Sequence, residues 1–305
     1  MRKFKDVNEV VNLLKPDYPV YCIRPESIKT SVDFFKKSFP GDVLYAVKTN
    51  PNKKVLKTAI SVGNCLLRDM QKDNGSFYSK YDPYSKEAGN PGGKWSLISG
   101  AFLVKLAIGL LHLAELTSNA SYKLAAKKLC DWGMEFQKED GRFSTSPDPE
   151  ETFLHPHCYA AEGLLVAGRI LKEDRYVESG RKAVSWISEF QLGSGGFPSY
   201  FSRGKFKKET SPDMTAQVLR LWLMLDESER PQIDVSGAVQ SILSLQCSNN
   251  QKQAYGGIMA GDAWFSGTNE NSDFAGQHIN SWVSMFSAQA IRMSNDPKID
   301  PFHLV

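Results

Sequence analysis

From about Lys57 onward, apolar residues recur at helical spacing, and the breadth of the apolar face alternates from one helix to the next. Leu103, Leu106, Ala107, Leu110, Leu111 and Ala114 fall on one stripe of a segment that is apolar on nearly all sides. Such a helix is covered by neighbours on both flanks. The next segment carries Lys123, Lys127, Lys128 and Asp131 on one side, as an outer helix does. The contrast repeats between an apolar, Gly- and Ala-rich 158–171 and a segment bearing Arg175, Glu178, Arg181 and Lys182. The pattern predicts helices over 53–71, 96–117, 121–137, 157–172, 175–191, 212–228, 234–247 and 279–294, paired as four hairpins with outer and inner helices alternating.

A recurring phrase supports the pairing. Outer helices run into a glutamine, and a glycine–aromatic turn follows: Gln71 with Gly75-Ser76-Phe77, Gln137 with Gly141-Arg142-Phe143, Gln191 with Gly195-Gly196-Phe197, and Gln246 with Tyr255-Gly256-Gly257. The last three glutamines are 54 and 55 residues apart, a period suited to a helical hairpin with one long loop. The glutamines are expected to tie helix ends to neighbouring loops. In such a series the loops 72–95, 138–156, 192–211 and 248–278 gather on one face with the N-termini of the inner helices. Free N–H donors and positive potential make that face the place for a site.

Residues 1–63 differ. Val7 to Leu14 is a short amphipathic helix, Pro19 to Ile23 a strand, Pro25 to Phe39 a helix, and Val43 to Val47 an apolar run of the kind a parallel sheet buries. That is β-α-β-α order, giving a boundary between 1–63 and 64–305.

Charge and composition narrow the function. A net charge of +3 with scattered basic residues excludes a nucleic-acid footprint, and no apolar run reaches membrane-spanning length. Five cysteines without CxxC spacing argue for reduced thiols, and no signal peptide is evident, so a cytoplasmic location is expected.

Candidate chemistry lies on the loop face. Asp213 opens an inner helix after Ser211-Pro212, either as a helix cap or as a catalytic or sugar-binding carboxylate. His155, His157 and Tyr159 head another inner helix; Pro156 and the lack of a second ligand pair argue against zinc, leaving a hydrogen-bonding rim or a structural role. Asp262 beside Trp264, and Asp82 beside Tyr81 and Tyr84, combine a hydroxyl acceptor with a stacking face, as a sugar ring needs, or else anchor loops. Trp95, Tyr200 and Tyr255 complete the expected aromatic cleft.

Two resemblances extend this. Val43-Leu44-Tyr45-Ala46-Val47-Lys48-Thr49-Asn50-Pro51-Asn52, with Pro19-Val20-Tyr21 before it and Gly63 after it, resembles the N-terminal region of fold-type III PLP enzymes, the ornithine, arginine and diaminopimelate decarboxylases. The resemblance implies that Lys48 is an aldimine lysine for PLP. Where that family continues with βα units and a phosphate loop, this chain turns to helical repeats, so 1–63 is expected to be a truncated remnant. Residues 64–295 resemble the six-hairpin (α/α) toroid superfamily of glycosidases, epimerases and terpene-cyclase relatives, through Asp140-Gly141-Arg142-Phe143, Gly195-Gly196-Phe197, Asp213 to Gln217 and Ile279 to Trp282. The expectation is a mainly α protein, a partial (α/α) toroid after a short β/α fragment. Its expected role is glycoside processing or sugar binding, with Asp213, Asp262 and Asp82 as catalytic candidates and an oligosaccharide as partner. A PLP-dependent decarboxylase acting through Lys48 and a non-catalytic protein-binding scaffold are the alternatives.

Overall fold

The structure, a computed structural model, describes residues 9, 12, 13, 15, 53–248, 256–261, 279–296 and 299–304. The chain divides into two units, Met1–Pro51 and Asn52–Val305, and the second contains every element discussed below. Lys48, Tyr255, Asp262 and Trp264 lie outside the described residues, as do the strands expected over 19–23 and 43–47.

Helix α1 (Lys53–Cys65) ends in a π-turn over Leu66–Met70. A hairpin, β1 (Lys80–Asp82) with β2 (Glu87–Gly89), follows. Short 3-10 turns at Trp95–Leu97 and Ala101–Lys105 lead into α2 (Leu106–Thr117). Then come α3 (Ala120–Met134), β3 (Glu151–Phe153), α4 (Leu154–Leu171) and α5 (Asp174–Ser188). Strands β4 (Tyr200–Ser202) and β5 (Lys205–Phe206), then α6 (Pro212–Met224), α7 (Val235–Leu243) and α8 (Ser281–Asn295), complete the order.

Packing sorts the helices into two layers. Segment 101–117, α4, α6 and α8 follow one another side by side, while α1, α3, α5 and α7 lie outside against them. Fourteen of the eighteen residues of α4 are buried, the signature of an inner helix, whereas α5 buries one face only. The hairpin pairing expected from the apolar pattern is the one observed. Several boundaries differ from expectation: the outer helices α3, α5 and α7 end three to four residues early, and three inner ones shift. The first inner helix begins as a 3-10 turn, α4 starts at Leu154 because Pro156 fits a first turn, and α6 stops at Met224. Helical periodicity also gave no sign of the sheet β3-β4-β5, which joins two long loops in antiparallel register, Thr152 opposite Phe201.

The repeated glutamine phrase is a structural joint. Gln137 Nε2 donates to Gly141 O at 2.9 Å and to Ser179 O on the next outer helix at 2.8 Å. Gln71 does the same with Gly75 O and Ala125 O, and Gln191 with Gly195 O and Asp234 O. The turn glycine has φ +96° at Gly141, and a Cβ there would lie 2.5 Å from Lys182 O, so only glycine lets the loop touch the next helix. The aromatic that follows is driven into the core: Phe77, Phe143 and Phe197 are fully buried, each contributing about 1.5–3 kcal/mol. These three are pegs between layers.

Candidate functional site

The peg also sets the register of the inner helices. The backbone N–H of Phe143 donates to His157 Nδ1 at 3.2 Å, that of Phe197 to Thr215 Oγ1 at 3.2 Å, and that of Ile258 to Ser284 Oγ at 3.1 Å. His157, Thr215 and Ser284 are therefore equivalent positions on α4, α6 and α8. Two residues earlier stand His155, Asp213 and Trp282, each the second residue of its helix. Two residues later stand Tyr159, Gln217 and Phe286, and three further on Glu162, Arg220 and Gln289. Steps of four and three residues keep these on one helical face. Phe102 and Lys105, on the first inner segment, join the second and third sets through the Tyr159–Phe286 cluster and Glu162.

The first tier lies at the N-terminal ends of the inner helices. His155 Nδ1 lies 3.1 Å from Asp213 Oδ2 and 3.0 Å from Gln217 Nε2. Ser211 Oγ donates to Asp213 Oδ1. Asp213 is only 2% exposed and His155 18%, so the imidazole is the more accessible partner. Trp95 stands beside His155, with ring centroids 5.8 Å apart, and Trp282 is 49% exposed at the start of α8. In the tautomer whose Nδ1–H donates to the carboxylate, the Gln217 amide must turn its oxygen towards Nδ1; His155 Nε2 then carries the lone pair, and none of the hydrogen bonds among the described residues engages it.

The second tier is aromatic and amide. Tyr159 lies under His155 at 4.5 Å between ring centroids, and Phe286 is 6.4 Å from both. Burial pushes the Tyr159 phenol well up; its hydroxyl sits near Trp282 without a well-formed hydrogen bond.

The third tier is ionic. Glu162 accepts from Lys105 Nζ at 2.6 Å and from Arg220 Nη2 at 2.9 Å, with Glu162 and Arg220 each only 2% exposed. Burial alone would raise the Glu162 carboxyl, but the Arg220 guanidinium and Lys105 ammonium outweigh it and hold it at about 2. Both cations also face the tier above: Lys105 Nζ is 4.2 Å from the Tyr159 ring centroid, and the Arg220 guanidinium carbon 5.0 Å from that of Phe286.

Four expected site residues thus converge: Trp95, His155, Tyr159 and Asp213. Asp213 is no plain cap, because its oxygens face Ser211 and His155 side chains. Others go elsewhere. His157 is fully buried with Nδ1 taken by Phe143 N–H and Nε2 by Ala183 O, and burial lowers it to about 4. It is a structural residue, not a ligand of substrate. Asp82 accepts the N–H groups of Tyr84 and Ser85 in the β1–β2 turn, and Tyr81 bonds Asp69. Tyr200 donates to Glu151 Oε1 at 2.6 Å within the sheet. Among the described residues, these hydrogen bonds do not reach the His155–Asp213 pair. Lys105, Glu162, Gln217, Arg220 and Trp282 were not among the expected site residues. Among the described residues, no group of three or more His, Cys, Asp or Glu could hold a metal ion.

Solved structures share this architecture. The unsaturated glucuronyl hydrolase of Bacillus sp. GL1 superposes with a TM-score of 0.63 at 14% identity, over 82% of this chain and 70% of that one. A D-mannose isomerase gives 0.59 at 11% identity, over 85% and 69%. Cellobiose 2-epimerase from Bacillus thermoamylovorans B4167 gives 0.57 at 10% identity, over 82% and 69%. The fold is an (α/α) toroid. At such identities the likeness carries the fold alone. No family model matches the chain, and no curated protein matches it. The decarboxylase-like segment gains no support from these neighbours, and Lys48 is outside the described residues.

Proposed function

We propose that this chain is a carbohydrate-processing (α/α)-toroid protein whose chemistry begins with proton transfer at His155. The observation that carries the reading is the His155–Asp213 pair, 3.1 Å apart at the N-terminal ends of two adjacent inner helices and flanked by Trp95 and Trp282. Asp213 fixes the imidazole tautomer and steadies the imidazolium, leaving Nε2 as general base. The flanking indoles offer flat faces to the C–H side of a sugar ring. The solved neighbours named for a glucuronyl hydrolase, a mannose isomerase and a cellobiose epimerase support a saccharide as ligand.

Among the described residues, hydrolysis by paired carboxylates fits this site less well than proton abstraction next to a sugar carbonyl. Glu162 is engaged by two cations, and Asp82 is spent on a turn. One oriented base suffices to exchange the proton beside the carbonyl of an open-chain aldose. The test is incubation of the full chain with D-mannose, D-glucose or cellobiose in heavy water, followed by NMR. Deuterium should appear at C2, accompanied by epimer or ketose, and His155→Ala should abolish it. Absence of exchange, together with no saccharide raising the melting temperature, would refute the reading.

A further inference from the structure

Resting on the reading of His155 as a base, we infer that Ser211 is a positioning residue: its hydroxyl, acting through Asp213, selects the imidazole tautomer that leaves Nε2 without a proton. Two neighbours compete for His155 Nδ1. Asp213 Oδ2 lies 3.1 Å away and the Gln217 side-chain amide 3.0 Å away. If the amide donates an N–H, Nδ1 must accept, and the ring proton sits on Nε2, where it blocks proton abstraction. If the carboxylate accepts, Nδ1 keeps the proton, the amide turns its oxygen towards it, and Nε2 is the base. The partner held more firmly decides the tautomer.

Ser211 holds the carboxylate. Its hydroxyl donates to Asp213 Oδ1, so turning the carboxylate about its Cβ–Cγ bond would break that contact, and Oδ2 stays aimed at the imidazole. The serine is itself fixed from both sides. Thr210 bridges Pro198, next to the Phe197 peg, and the Ser211 carbonyl accepts the Thr215 N–H at 3.2 Å. Ser211 is buried, which shields its hydroxyl from competing water. Asp213 stands in the first turn of α6, where free N–H groups favour the ionised, accepting form.

The repeat supplies an internal reference. Ser211 and Asn280 are the N-cap residues of α6 and α8 and occupy the same position, two residues before Asp213 and Trp282. Asn280 acts as a cap: its Oδ1 accepts the N–H groups of Trp282 at 2.8 Å and Val283 at 3.4 Å. The Ser211 side chain makes no capping hydrogen bond, although serine ranks with the best N-cap residues. Its hydroxyl is turned to the carboxylate instead.

The experiment is nitrogen-15 NMR of the full chain labelled at histidine, at a pH where the ring is neutral, with the His155 signals assigned by their loss in His155→Gln. Deuterium exchange at C2 of D-mannose, D-glucose and cellobiose is measured alongside. The parent should show His155 protonated at Nδ1 and bare at Nε2. Ser211→Gly keeps a good cap residue and removes the hydroxyl. It should move the proton to Nε2 and slow exchange by about tenfold or more, through kcat rather than KM. Ser211→Thr, which retains a hydroxyl, should hold the parent's tautomer and rate. A capping or packing role alone would lower the melting temperature of Ser211→Gly and leave the tautomer unchanged; that result would overturn the inference. A parent protonated at Nε2 would overturn it without recourse to any variant, and Ser211→Ala replaces the glycine variant should that one not fold. If no sugar exchanges although the parent is protonated at Nδ1, the catalytic reading fails, while the tautomer in Ser211→Gly still decides the role of the serine.

Discussion

Replacing Glu162 with glutamine isolates what the buried ion network contributes. The carboxyl is held at about 2 against an ordinary value of 4.5, and it lies wholly inside the protein. A displacement of that size corresponds to about 3 kcal/mol of preference for the ionised, paired form. Breaking a buried pair by deleting one partner costs about 3–5 kcal/mol by a separate route, since it strands the other charge. Because the folded value is depressed, the stabilisation is complete above about 4.5 and is lost as pH falls towards about 2. Guanidinium unfolding should find Glu162→Gln about 3 kcal/mol less stable at neutral pH, with the gap narrowing as pH drops through that window. The double variant Glu162→Leu with Arg220→Met should recover much of the loss, because no guanidinium is then left unpaired and Lys105, 24% exposed, can turn to water. A single variant within about 0.5 kcal/mol of the parent, or a gap unchanged between neutral and acid pH, would refute the reasoning.

Gly195→Ala should lower stability by at least about 2 kcal/mol, since φ is +82° and the new Cβ would press onto the Gly237 carbonyl; Gly193→Ala, in open space, should be near neutral in the same thermal melt. His157 is held neutral by burial at about 4, below its usual 6.5, so the unfolded chain takes up its proton first and stability falls as pH drops from about 6.5 to about 4. His157→Gln should flatten the melting temperature across that window, and a decline as steep as the parent's would contradict this.

The layers were legible because they rest on periodicity that every residue of a helix helps to write. Charged positions such as Lys123, Lys127, Arg181 and Lys182 marked the outer helices, and the largely apolar, Gly- and Ala-rich 158–171 marked an inner one. The glutamine–glycine joint was legible for a different reason: its chemistry needs one amide, one left-handed glycine and one buried peg at close spacing, and that short phrase survives repetition. What the phrase could not disclose is the direction of the aromatic ring. An aromatic residue in a long polar loop looks alike whether it lines a cleft, as Trp95 does, or plugs the core, as Phe143 does.

The tiers escaped notice because the interval between peg and inner helix varies. Twelve residues separate Phe143 from His155, sixteen separate Phe197 from Asp213, and twenty-four separate Ile258 from Trp282. The anchoring acceptor also changes from imidazole to two different hydroxyls, so no common residue type flags the register. One signal was nevertheless available. Glu162 and Arg220 sit in helices whose other faces are apolar, and a charge in such a helix must find an opposite charge on a neighbouring inner helix or remain unsolvated. Pairing Glu162 with Arg220 aligns α4 and α6 directly. Stepping back seven residues along each then brings His155 beside Asp213, which is the contact on which the chemistry depends.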